Sequence, residues 1–229
     1  HGGGRAAHKG LYAAFNIHAI ACGVLGPTGA LFAGEVEKPA DLLGRTVAAD
    51  GLPGRVLGAL GAVVRRVAPS DLAPWLANES HFGVLFSGPA DDLALGLARH
   101  GKVYYFPGWS RQVGLADLMI NKTRWEELDD SAKAQLETAC AENLKNGIAA
   151  IEDGQFTALK TLIRDGVRVE SWQPDLVFKL QGAWKRISFS LAKGDPNYRR
   201  LIQSLSAFAE DRAIWRDLVR IEPRLHPAP

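Results

Sequence analysis

Sulfur is scarce in this chain of 229 residues, which holds two cysteines and one methionine. Two cysteines cannot build the dense disulfide lattice of a small secreted scaffold, nor a four-thiolate zinc cage. Long apolar runs are missing too. The best stretch, 13–34, is broken by Asn16, His18, Pro27 and several glycines, which excludes a transmembrane helix. No signal peptide is read at the start, so an exported protein would have this as its mature or trimmed form. Charge of one sign is absent: 27 Lys and Arg against 25 Asp and Glu leave +2. Such a balance gives no field that would draw nucleic acid or an acidic membrane, and no nucleic-acid partner is expected. Pairs such as Arg65-Arg66 and Arg199-Arg200 read as solvated helix faces.

Catalytic constellations are equally thin. His1-Gly2-Gly3-Gly4 spells an oxyanion-hole string, but the Ser that would need it is not on an elbow. Ser110 follows Gly108-Trp109, and Gln112 stands where the last glycine of G-x-S-x-G belongs. His8, His18, His81 and His100 show neither i, i+4 spacing nor paired cysteines, so no metal site is expected. Gly54, Gly58 and Gly61 do not form a G-x-G-x-x-G phosphate loop. Asp91-Asp92 reads as a charge pair at a helix N-terminus rather than a general acid and base. The sequence therefore predicts no enzyme and no cofactor. Cys22 and Cys140 are far apart; they read as two buried free thiols, with a disulfide left open should the compartment be oxidising.

What the chain does contain is concentrated between Gly83 and Trp125. Gly83–Gly88 is an apolar run closed by Gly88-Pro89, a buried strand that stops abruptly. Asp91–His100 is a short helix with Leu93, Leu95, Leu97 and Ala98 turned inward. Lys102–Phe106 is an aromatic strand ended by Pro107-Gly108, and Leu115–Ile120 is a third apolar strand. This pattern predicts the middle of an α/β sheet, with loops leaving its strand ends as the place for a site.

Around that stretch the pattern is simpler. The Gly-rich start, His1–Lys9, is predicted to be loose. Residues 11–34 hold one or two strands turning at Gly26-Pro27 and Thr28-Gly29. A strand is predicted at Arg45–Ala49, a helix at Arg55–Val64, and another at Asp71–Leu76 capped by Ser70. Thr123 opens a capping box. From Asp130 apolar residues recur at a 3–4 spacing to Ile163, a helix long enough to cross between two lobes, with Gly147 and Gly154 as places to bend. A strand at Val167–Trp172 and helices at Pro174–Leu191 and Asp195–Ile221 complete the chain.

The ordered series resembles the solute-binding proteins of TRAP transporters, the DctP-like family. There a strand ends in a Glu-Trp-Val-Gly-Pro type corner, followed by a short helix, a Tyr-Tyr-x-Pro-Gly-Trp strand end, and a strand ending in Asn before a Trp-bearing helix. The matching residues are Leu85-Phe86-Ser87-Gly88-Pro89, Asp91-Asp92, Tyr104 through Trp109, and Asn121 through Trp125. Asp41-Leu42-Leu43-Gly44 matches the string that opens a further family strand. The resemblance implies an α/β, periplasmic-binding-protein-like (class II type) two-lobed fold with a long connecting helix. It implies a periplasmic receptor for a small-molecule ligand, working with the membrane components of a TRAP-type transporter. Full family members carry a long further segment ahead of this chain's start, so the first lobe is expected to be incomplete. Residues 1–22 with 110–150 would form that partial lobe, 23–109 with 151–190 the second α/β lobe, and 191–229 a C-terminal helix across both.

One departure is chemical. The family's carboxylate-gripping arginine falls on Ala48, and Arg45, three residues away, points to the other face of the strand. The corner Glu and Trp are Leu85 and Phe86. The resemblance so altered implies a neutral or apolar ligand in a site lined by Phe32, Ala48, Leu85, Phe86 and Trp109. The rival expectation is a degenerate paralogue that no longer binds solute and acts as an interaction or assembly subunit. A partner chain or a second copy would then cover the apolar face of Leu115–Ile120.

Overall fold

Short β-branched and aromatic runs separated by glycine and proline corners fold into two unequal sheets joined by one very long helix. The structure, a computed structural model, describes residues 3–218. In chain order the elements are α1 (Gly4–Ala13), β1 (Ile17–Leu25), β2 (Ala30–Phe32), β3 (Thr46–Ala48), α2 (Gly51–Ala59), β4 (Val63–Arg65), α3 (Leu72–Leu76), β5 (His81–Val84), α4 (Pro89–Ala94) and β6 (Val103–Tyr105). There follow β7 (Gly114–Asn121), α5 (Lys122–Glu127), α6 (Asp130–Arg164), β8 (Arg168–Glu170), α7 (Pro174–Gly194), α8 (Pro196–Asp211) and α9 (Ala213–Leu218).

The larger sheet has the order β4-β3-β5-β2-β6-β8. β3 runs parallel to β4 and β5, and β6 parallel to β8, while β2 lies antiparallel between them. Period-2 alternation divides its residues between two cores. Phe32, Val47 and Tyr105 face a cluster completed by α2 and α7 through Val56, Leu57, Leu176 and Leu180. Leu31, Ala48, Val84 and Tyr104 face the opposite cluster, closed by Leu72 and Leu76 of α3 and Leu162 of α6. Arg45 lies over the Phe82 ring, its Cζ 4.8 Å from the centroid, on the face away from Ala48.

The smaller sheet is an antiparallel pair, β1 with β7, running from Ile17 opposite Asn121 to Leu25 opposite Gly114 with a register shift between Ala21 and Gly23. Two strands alone are marginal in water. This pair is held from outside: α1 docks through His8 Nε2 and Tyr12 Oη, 2.9 and 3.1 Å from Asp117 Oδ2. α6 packs along β1. Two connections carry the chain between sheets, β1 into β2 through 26–29 and β6 into β7 through 106–113. α6 is the third crossing. Asp129 caps it, its Oδ1 accepting from Ala132 N at 2.7 Å, and it continues unbroken through Gly147 and Gly154 for 35 residues. That is about 52 Å of helix, enough to back both sheets, and it touches β1, α4 and β8.

Several expectations need correction. The Gly-rich start is helical from Gly4, because the Asp117 contacts and packing on β1 and α8 supply what local propensity does not. The helix expected at 55–64 stops at Ala59, since Gly61 turns at φ +96° and Val63 pairs with Thr46. The third apolar run joins β1 instead of the larger sheet. Asn121, not Thr123, caps α5 through Arg124 N at 3.2 Å. Ser70 bonds its neighbour Asp71 and does not cap α3. The last helix breaks at Arg212, and the part expected beyond Leu218 lies outside the described residues. α8 packs on both α1 and α7. Leu115 and Met119 on β7 are 61% and 59% exposed, on either side of Asp117, where α1 docks.

The two cysteines are not free. Cys22 of β1 and Cys140 of α6 form a disulfide across a sequence separation of 118 residues. A loop of that length loses much denatured-state entropy on closure, worth about 4–5 kcal/mol in the chain-entropy account. The double variant Cys22→Ala/Cys140→Ala is therefore expected to melt lower than the oxidised protein. Thiol reductant should lower the wild type to a similar degree and leave the variant unmoved, both read by circular dichroism.

Candidate functional site

Parallel strands β4, β3 and β5 all end on one side of the larger sheet, where the chain also crosses to the smaller sheet. Strand ends beside such a change of direction are where α/β proteins leave room for ligands. Here they border an open cleft of about 880 Å³. One wall is apolar: Ala48 ends β3, and Leu85 and Phe86 follow β5, with Leu85 N donating to Ala48 O at 2.9 Å. Leu72 at the start of α3 adds to it. Ala48 and Leu85 are nearly covered, each by a different one of the two cores, whereas Phe86 is 38% exposed.

Ala49, Pro53, Val67, Ala68 and Pro69 extend the apolar lining, and five polar side chains interrupt it. Asp50 caps α2, its Oδ1 accepting from Gly51 N at 2.7 Å while its Oδ2 lies 2.9 Å from Arg66 Nε. From the crossings come Thr28, Ser110 and Arg111. Thr28 is buried, and its hydroxyl sits 3.0 Å from that of Ser110. Arg111 is half-buried; its Nε donates to Gly26 O at 3.1 Å.

Behind the crossings lies a buried acid. Asp92, 2% exposed on α4, accepts from Tyr104 Oη at 2.7 Å through Oδ2, while Oδ1 has no hydrogen-bond partner of ordinary geometry among the described residues. Burial pushes its carboxyl up from 3.8 to about 7, against the lowering pull of the Tyr104 bond, the nearby Ser87 backbone amide and, least, the Arg111 charge. Burial and the same carboxyl raise Tyr104 far above the ordinary tyrosine range. Gly29 makes this pair fit, because a Cβ there would overlap the Tyr104 hydroxyl.

Of the five residues expected to line a site, the structure brings Ala48, Leu85 and Phe86 together. Phe32 is fully buried among Phe82, Tyr105 and Trp172, in the cluster on the other side of the sheet from Ala48. Trp109 packs on that same core, with its indole N–H buried and unpaired. Neither belongs to the cleft lining. Sequence reasoning passed over Arg66, Asp50 and Arg111. Arg111 had a usable signal: it lies in the loop just past the Pro107-Gly108 corner, where a strand end delivers side chains to a site.

Two sheets laced by two strand crossings and a long helix, with a cleft at the crossing, have the architecture of a periplasmic-type binding protein. The profile of DctP, bacterial extracellular solute-binding protein family 7, matches residues 16–187, and the chain belongs to that family. It is 27% identical over 219 residues to a monocarboxylate 2-oxoacid-binding periplasmic protein of Nostoc sp., covering 93% of this chain and 59% of that one. A TRAP transporter solute-binding protein from Bordetella bronchiseptica superposes with a TM-score of 0.89 at 29% identity, over 96% of this chain and 66% of its own. That structure is a mixed-occupancy dimer with calcium and picolinate in one active site. A Colwellia psychrerythraea counterpart with calcium and pyruvate superposes at 0.88, with 22% identity over 96% and 67% of the two chains. This chain thus spans about three-fifths to two-thirds of the length of these relatives.

Calcium in those structures prompts a test of the donors here. Calcium takes six to eight oxygen ligands, several of them carboxylates. Among the described residues no three His, Cys, Asp or Glu side chains converge to hold an ion. In the cleft Asp50 is the one carboxylate, and Arg66 already holds it; Arg66 and Arg111 would repel a cation. The donor set does not fit calcium.

Asp92 gives the fold a definite pH dependence. Below about pH 4 both folded and unfolded forms keep its proton and no penalty arises. From there to about 7 the unfolded carboxyl ionises while the folded one does not, so stability falls, by at most about 4 kcal/mol, and stays level above. Asp92→Asn is expected to flatten the decline in Tm between about pH 5 and 7 by about 5 °C or more. Parallel wild-type and variant curves in a differential scanning series would show that Asp92 does not titrate in that window.

Proposed function

We propose that this chain acts as the solute receptor of a TRAP-type transport system in the periplasm, taking a small carboxylate with a compact apolar body. The observation that carries the reading is the cleft itself: its lining joins the apolar Ala48, Leu85 and Phe86 to a polar set bearing more guanidinium than carboxylate. A flat organic acid can desolvate its body on one side and set its charge against the other. The Nostoc relative's 2-oxoacid and the Bordetella relative's picolinate have this shape and charge. The disulfide supports an oxidising compartment such as the periplasm. The smaller sheet would move as one lobe against the larger, with the boundary at 26–29 instead of after residue 22 because β1 stays paired with β7 through Leu25, and closure would bend the crossings at 26–29 and 106–113. Membrane components of the transporter would then read the closed form.

A second reading, a neutral or apolar ligand, draws on Ala48 and Leu85, which put no charge on the strand ends. A third, an assembly subunit without solute, draws on the exposed Leu115 and Met119. A thermal-shift series with pyruvate, picolinate and the neutral isostere picolinamide separates the three. A carboxylate receptor should gain about 5–10 °C at a hundredfold excess over Kd from an acid and nothing from the amide. A gain from the amide alone would favour the neutral reading. No gain from any compound, with a stable oligomer in native mass spectrometry, would favour the assembly reading.

A further inference from the structure

The carboxylate reading leaves one question: which group takes the charge when the family's strand position is Ala48 and the donors reject a metal ion. Arg66 is a weak candidate, being already paired with Asp50 on an exposed rim where ion pairs are screened. Arg111 is placed differently. Its own carbonyl accepts from Thr28 N at 3.0 Å and from the Thr28 hydroxyl at 3.4 Å, which fixes its backbone in the crossing. Its Nε is held by Gly26 O at 3.1 Å, which fixes the near end of the side chain. The two terminal nitrogens carry no hydrogen bond among the described residues, and no carboxylate there lies within ion-pairing distance of them. The residue lines the cleft together with Thr28 and Ser110, whose hydroxyls meet, and with Leu85 and Phe86.

A guanidinium tethered at Nε and open at both terminal nitrogens is a preorganised fork for one carboxylate. We propose, building on the carboxylate reading above, that Arg111 grips the solute's carboxylate directly, so that binding needs no metal ion. The positive charge that calcium brings to the Bordetella site with picolinate is here part of the polypeptide. Selectivity follows. An acid that presents a single carboxylate satisfies the one uncommitted guanidinium, whereas a second carboxylate would have to compete with Asp50 for Arg66 or go unpaired in the cleft. The site therefore favours monocarboxylates over dicarboxylates.

The test is isothermal titration of the full-length protein with picolinate, pyruvate and malonate, each in excess EDTA and in excess calcium. Wild type is expected to bind at least one monocarboxylate equally in both conditions, and more tightly than malonate. Arg111→Gln is expected to lose at least about 30-fold in affinity in both conditions. Arg111→Lys, which keeps the charge without the fork, should fall between the two, and circular dichroism melting should show both variants folded. Wild-type binding that vanishes in EDTA, or an Arg111→Gln affinity equal to wild type, overturns the proposal while leaving the carboxylate reading standing. If no acid binds wild type in either condition, the carboxylate reading fails and this proposal with it.

Discussion

Thr28 is the point on which the two halves of the molecule depend. Its amide donates to Arg111 O, its carbonyl accepts from Gly108 N, and the next amide, of Gly29, donates to Ser87 O at 2.7 Å. Its hydroxyl reaches Ser110. Thr28 and its neighbour Gly29 thus tie the outgoing crossing, the returning crossing and the corner after β5 into a single knot of backbone hydrogen bonds. Buried backbone groups must be paired, and at a crossing there is no ladder to do it. Thr28 supplies the pairing, and by doing so it sets where the cleft lining from three separate segments will meet.

The unequal sheets pose a second problem, solved by covalent and helical means. A two-stranded pair cannot cover both its faces. β1 and β7 are braced by α1 through Asp117, by α6 along β1, and by the bond from Cys22 to Cys140. The larger sheet needs no such brace, because six strands with helices on both faces bury two full clusters.

How much of this was legible depends on the kind of signal. The series from β5 to β6 and the long α6 could be read because Gly and Pro corners and a 3–4 apolar spacing are local properties. Ala48, Leu85 and Phe86 could be placed because a resemblance carried their positions. Phe32 misled because alternation says that Leu31 and Phe32 face opposite ways, not which of those faces meets the cleft. Trp109 misled because an aromatic at a strand end serves a core as readily as a site. α1 escaped because its stability is tertiary. The disulfide escaped because 118 residues of separation carry no local trace. Arg111 escaped because a lone charged residue has no periodicity; only the crossing that pins its carbonyl makes it part of a site.

The fit of Gly29 against Tyr104 reaches beyond this molecule. Any side chain at residue 29 would drive into the tyrosine hydroxyl, which is itself committed to the otherwise half-satisfied Asp92. In a lineage descending from this sequence, enlargement at 29 is closed until 104 has shrunk, and shrinking 104 strands the acid at 92. Drift at these three sites should come as an ordered, joint event, leaving correlated columns among descendants though the positions span more than a quarter of the chain.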